Sequence, residues 1–85
     1  MVLNKILRTP QVLDTIGLKR TKLHFLERDG LWPRGIKIAG IESPLVGWTE
    51  REVAEMLAAR IAGKNNDEIR TLVKKLEFDR AKAGE

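Results

Sequence analysis

The fold of this chain turns on residues 9–30, TPQVLDTIGLKRTKLHFLERDG. Thr9-Pro10 reads as a helix start. A threonine hydroxyl can accept from an orphan N–H at the cap, and proline is preset for the first helical position. Val12, Leu13 and Ile16 follow at helical spacing and form one apolar stripe. Gly17 suits the left-handed residue that ends a helix. Leu18 opens a second segment, Lys19 to about Asp29, in which Leu23 and Leu26 can face the first helix and Gly30 is the stop. Lys19, Arg20, Lys22, His24 and Arg28 are left for other faces, and Phe25 is assigned to the core. Two short helices around a tight glycine turn, with cations on the second, form the helix-turn-helix pattern. A plain helical hairpin in a small bundle shares that spacing.

On the N-terminal side, Leu3, Ile6 and Leu7 make a short apolar lead-in. On the other side, Trp32-Pro33-Arg34-Gly35 cannot continue a helix. Ile36-Lys37-Ile38 alternates as a strand does, Ala39 to Pro44 is turn-rich, and Leu45 to Trp48 can be the returning strand. A hairpin with a long tip directly after a helix-turn-helix is a wing. Pro44 near the tip needs no ladder N–H there. Trp32 and Trp48, at the two bases of the hairpin, are read as packing anchors rather than base-stacking platforms.

Thr49-Glu50-Arg51-Glu52 is a capping box, and Val53, Met56, Leu57 and Ile61 carry a third helix to about Ala62 before Gly63 ends it. Asn65 and Glu68 have box-like spacing ahead of an apolar face of Ile69, Leu72, Val73 and Leu76, with Phe78 partly off the stripe. The end of the chain, Ala81 to Glu85, is expected to fray. The predicted fold class is mainly α with a small β-hairpin. Residues 1–63 would form a winged helix-turn-helix, and residues 64–85 a C-terminal helix that packs in cis or self-associates.

Composition narrows the function classes. The 85 residues suit one small domain, and they include no cysteine, no tyrosine and a single histidine, His24. His24 has no second histidine or nucleophile set beside it. The acids Glu50/Glu52 and Asp67/Glu68 stand at helix starts, where capping and the helix dipole account for them. No Walker loop or dinucleotide fingerprint is present. No enzyme, cofactor or metal is expected. No signal peptide and no run of the ~20 apolar residues that span a bilayer is seen, so a cytoplasmic, nucleoid-associated protein without membrane partners is expected.

The net charge of +4 is unevenly placed. Met1 to Trp48 holds eight cations (Lys5, Arg8, Lys19, Arg20, Lys22, Arg28, Arg34, Lys37) against four acids, whereas the remainder balances eight against eight. A positive field confined to one region attracts a phosphate backbone. A recognition helix faces base edges with its first turns, where Lys19, Arg20, Thr21 and Lys22 fall and His24 follows one turn later. Arginine can pair with guanine through two hydrogen bonds, and threonine can meet a phosphate or a thymine methyl. Arg28 at the helix end and Arg34, Lys37 and Ser43 in the wing would touch phosphates.

Four stretches also resemble, in this order, the AlpA-like phage regulatory proteins, relatives of the MerR-type winged helix and of phage excisionases. They are Thr9 to Leu18, Leu23 to Gly30, Trp32-Pro33-Arg34, and Gly47-Trp48-Thr49-Glu50-Arg51-Glu52-Val53. The resemblance covers about Leu7 to Arg60. It implies a winged helix-turn-helix of a prophage or integrated element that regulates transcription, directs an integrase toward excision by bending DNA, or does both. By position it implies Lys19, Arg20, Thr21, Lys22 and His24 as major-groove readers, and Arg34, Lys37 and the loop to Ser43 as the wing. The chain departs from the family's usual Ser at Lys19, Thr at Lys22 and Tyr-Arg at His24-Phe25, which implies stronger phosphate contact. Duplex DNA is the expected partner, with an integrase or RNA polymerase, and a homodimer or an array on DNA, as further expectations. The alternative is a helical adaptor whose last helix binds a partner protein. An RNA-binding fold is disfavoured by the few aromatic residues.

Overall fold

The first residues to take regular structure are Ile6–Arg8, a short strand, β1. The computed structural model describes residues 5–83, with side chains described to Arg80. After β1 the order is α1 (Thr9–Ile16), α2 (Arg20–Arg28), β2 (Ile36–Lys37), β3 (Val46–Thr49), α3 (Glu50–Ile61) and α4 (Asn66–Ala83). The chain is mostly helical with one small antiparallel sheet, an architecture compatible with a small helix-turn-helix domain.

Helix α1 starts one residue earlier than the Thr9-Pro10 signal predicts. Arg8 is the cap residue, and its N–H donates to Gln11 Oε1 at 2.9 Å. The side chain three residues on therefore satisfies the cap backbone, the half of a capping box that needs no hydroxyl at the cap itself. Gly17 ends α1 in the left-handed region (φ +70°), with its N–H donating to Leu13 O at 2.9 Å. That sharp reversal sets α2 against α1 after a gap of three residues.

The lead-in before Thr9 is a strand, which period and propensity over so few residues do not signal. Leu3 lies outside the described residues, but Ile6 pairs with Thr49, Leu7 with Trp48 and Arg8 with Gly47. Glu50 N–H then donates to Lys5 O at 2.8 Å. The predicted hairpin is thus one side of a three-stranded sheet in the order β1-β3-β2. Gly47, at the centre, pairs with Arg8 on one edge and Ile36 on the other. A Cβ there would sit 2.5 Å from Ile6 Cγ2 and 3.0 Å from the Leu7 carbonyl, so only glycine lets β1 close on β3.

Helix α3 begins with the predicted box: Glu52 N–H donates to Thr49 Oγ1 at 3.1 Å and Thr49 N–H to Glu52 Oε1 at 3.0 Å. Asn65 and Glu68 repeat this reciprocal pairing ahead of α4, at 3.2 and 2.9 Å. Helix α4 continues through Ala83, past the point where fraying is predicted.

Elements from both ends of the chain supply one core: Val12, Leu23, Trp32, Trp48, Val53, Met56, Ile69, Val73 and Leu76. The stripe of α4 is spent in this core, with Ile69 fully buried and Val73 and Leu76 each 4% exposed. Both tryptophans act as the anchors predicted. Trp48 Nε1 donates to Pro33 O at 2.7 Å, fastening β3 to the segment that leaves α2.

Candidate nucleic-acid interface

Helix α2 buries Leu23, half-buries Leu26 and Glu27, and exposes Arg20, Thr21, Lys22, His24, Phe25 and Arg28. At about 100° per residue, Thr21, His24, Phe25 and Arg28 form its outward face. Arg20 lies to one side of that face and Lys22 to the other. Phe25 therefore does not join the core as its apolar character suggests. It is 42% exposed, and the Arg28 guanidinium carbon stands 4.7 Å from its ring centroid. At about 100° per residue Phe25 stands about 100° around α2 from Leu26 and about 160° from Leu23, so its ring projects away from the core.

The first turn of α2 carries cations and no acid. Lys19 is the cap residue; its side chain makes no capping bond, and its carbonyl accepts Leu23 N–H at 3.1 Å. Cations at the positive end of a helix dipole oppose it by about 0.3–1 kcal/mol each. The arrangement disfavours the isolated helix and favours an anion in front of it.

Two clefts flank the hairpin side of α2. One is bordered by Arg20 and His24 together with Thr9, Val46 and Trp48. The other, of about 410 Å³, brings His24 and Arg28 of α2 to Arg34, Gly35 and Lys37 of the hairpin. Of the residues singled out from sequence, Arg20, His24, Arg28, Arg34 and Lys37 thus share one continuous concave surface. Thr21 lies on the adjacent outward face, Lys22 on the far flank, and Lys19 at the helix entry. Ser43 is engaged within the hairpin tip: its hydroxyl accepts Leu45 N–H at 3.1 Å, and its carbonyl accepts from Lys37 Nζ at 3.3 Å.

The clefts hold one acid that sequence pattern does not single out. Glu27 borders both, one turn along α2 from His24 and near Arg34. Its burial raises the carboxyl above its ordinary value of 4.5; His24 and Arg34 pull it back and Glu77 pushes it further up. No sequence signal marks Glu27, because its half-buried position depends on α4 packing beside α2. Among the described residues, no group of three or more His, Cys, Asp or Glu could hold a metal, and no helix is long and apolar enough to cross a membrane.

Residues 5–61 match the family profile described as Prophage CP4-57 regulatory protein (AlpA). The chain belongs to the AlpA family. The AlpA match begins just before β1 and ends with α3, so the paired helices and the whole sheet lie within the matched stretch, whereas α4 lies beyond it. Among curated proteins, the chain is 35% identical over 60 residues to the uncharacterized protein ORF88 of Enterobacteria phage P4. That similarity covers 71% of this chain and 65% of the phage protein, so the chain spans less than two thirds of that relative. No solved structure matches the chain.

Proposed function

We propose that this AlpA-family chain is a sequence-specific duplex-DNA-binding regulator of prophage type. In this reading α1 and α2 are the helix-turn-helix, α2 enters the major groove, and the β2–β3 hairpin is a wing on the adjacent backbone. It regulates transcription, assists excision as an architectural factor beside an integrase, or does both, without cutting DNA itself. The observation that supports this best is the shared concave surface: cations of α2 and of the hairpin converge on it, and Arg20 among them stands at the first turn of α2, where it opposes the helix dipole. A merely solvated helix would place acids, not Arg20 and Lys22, in that first turn.

The roles divide by position. Arg20, Thr21 and His24 read base edges, whereas Arg28, Arg34 and Lys37 hold phosphates and fix the register. Lys19 and Lys22 add affinity from the flanks. One short recognition helix contacts few bases, so two or more copies act together on DNA, and the protein associates with the nucleoid. The adaptor alternative draws no support from α4, because Ile69, Val73 and Leu76 are occupied in the core.

The test is footprinting on DNA upstream of the gene and at the element's attachment site, followed by titrations at several salt concentrations. Arg20→Ala is expected to weaken the specific complex by about 1–3 kcal/mol and relax preference at one position. Arg34→Ala is expected to weaken all duplexes alike. Equal affinity for every duplex, unchanged by Arg20→Ala, would sink the base-reading assignment.

A further inference from the structure

Beyond the hairpin side of α2, the structure forms a third cleft, of about 180 Å³, between the end of α2 and the middle of α4. Four cations from three segments border it: Arg28, Arg34, Arg70 and Lys74. It shares Arg28, Arg34 and Glu27 with the α2–hairpin cleft, so the cationic surface continues from the hairpin around the end of α2 onto α4. Its wall includes Trp32, which is 3% exposed and whose indole Nε1 has no hydrogen-bond partner.

An indole N–H only donates, so the partner it lacks is an acceptor. Leaving such a buried donor unpaired is unfavourable. The sister indole shows the contrast, since Trp48 Nε1 is satisfied by Pro33 O. Two carboxylates, Glu27 and Glu77, also border the cleft, against its four cations. Glu77 Oε2 accepts the Arg34 backbone N–H at 2.8 Å, and burial raises the Glu27 carboxyl above its ordinary value. Arg70 is held in place through Nε, which donates to Asp29 O at 3.1 Å, while its Nη1 lies 3.7 Å from Asp67. Lys74 makes no ion pair among the described residues. A fixed guanidinium and an unpaired ammonium around one small cleft, with the Trp32 ring in its wall, are suited to a tetrahedral oxyanion, which offers acceptors on every side.

We propose that this α2–α4 cleft is a phosphate-binding subsite, formed by Arg70 and Lys74 with Arg28 and Arg34, with Trp32 in its wall. Two sources present that chemistry, a backbone phosphate of bound DNA and free inorganic phosphate. The first rests on the DNA-binding reading above and extends the footprint onto α4, outside the stretch that matches the AlpA profile. The second does not rest on it.

The two indole N–H resonances separate these cases by nuclear magnetic resonance on the full chain. Titration with duplex DNA is expected to shift the Trp32 indole N–H and leave that of Trp48 in place. In Lys74→Ala the Trp32 shift is expected to shrink, and the slope of log affinity against log salt to fall by about 0.9, one phosphate contact. Lys74 is exposed and unpaired, so its removal leaves the fold intact; Arg70→Lys, which keeps the charge, is expected to retain most of the slope. Inorganic phosphate alone, moving the Trp32 signal in the absence of DNA, would support the subsite even if no duplex bound. If DNA moves the α2 amides while the Trp32 indole is still toward both probes and the Lys74→Ala slope is unchanged, the subsite is overturned and the DNA reading stands.

Discussion

Arg80 Nε donates to Glu52 Oε2 at 2.6 Å, and the same guanidinium reaches Oε1 at 3.2 Å. Glu52 is 5% exposed and its Oε1 also accepts Thr49 N–H, so one carboxylate both caps α3 and holds α4. Removing Arg80 leaves a buried charge without its partner. Arg80→Ala is therefore expected to destabilise the fold by about 3 kcal/mol, the low end for a broken buried pair, because the arginine keeps 24% of its side chain in solvent. Glu52→Gln keeps an acceptor for the cap and for Arg80, and is expected to cost less. Urea denaturation of the two variants checks the order.

The same relationship makes α4 a structural part of the domain. Without residues beyond Lys64, the core loses Ile69, Val73 and Leu76, and Glu52 loses Arg80. A chain ending at Lys64 is expected to show no cooperative urea transition, with exposed apolar surface detected by dye binding. A sharp two-state transition in that truncated chain would show that α1 to α3 suffice.

These cases mark where sequence was legible. The Thr49–Glu52 and Asn65–Glu68 boxes, the Gly17 reversal and the stripe of α4 are local patterns, each contained within a turn or two of helix. They could be read without a partner. Strand β1 could not: three residues show no period, and its reason for existing is Gly47, some forty residues away. Glu52 and Arg80 read as two charges on separate helices, and only packing joins them. The cations of α2 and the hairpin were visible as a charge excess, but their division into cleft, outward face and far flank needed the axis of α2. Arg70 and Lys74 were hidden by the balanced charge of the second part of the chain. Phe25 stays exposed for another reason: hydrophobicity states a preference for burial, whereas its place around α2 turns it away from Leu23 and Leu26.

Gly47 offers a sharp test of the sheet. Alanine would bring its Cβ against Ile6 Cγ2 and the Leu7 carbonyl, and a backbone atom cannot swing aside as a side-chain end can. Gly47→Ala is expected to cost about 1–3 kcal/mol, in the range of an overpacked site. Amide hydrogen exchange should locate the loss in the β1–β3 pairing.

Phe25 separates packing from recognition. A core phenylalanine truncated to alanine costs about 3–5 kcal/mol. The exposed ring of Phe25, under the Arg28 guanidinium and tilted beside the His24 ring, is expected to cost about 1 kcal/mol or less on Phe25→Ala, measured by thermal unfolding. Duplex affinity should fall more clearly, because Arg28 loses the ring that orients it. A loss of stability in the core range would place Phe25 back among the packing residues.

Glu27 carries the pH dependence. Its carboxyl is raised in the folded chain, chiefly by burial, above an ordinary value of 4.5. Between those two values the folded state holds more protons than the unfolded one, so stability falls as pH rises through that window. Above it the penalty of the ionised, half-buried carboxylate is complete; below 4.5 both states are protonated and the penalty is gone. Glu27→Gln removes the titration, so the variant is expected to be the more stable protein at pH 7, with the difference closing as pH falls below 4.5. The same change removes a negative charge from the surface proposed to face phosphate. At about 8 Å in water a unit charge pair is worth roughly 0.5 kcal/mol, so duplex affinity should rise about twofold. Chemical denaturation of parent and variant from pH 4 to 8, with DNA titrations at neutral pH, reads both effects. A variant less stable than its parent at pH 7 would mean that His24 and Arg34 gain more from the ionised Glu27 than burial takes away.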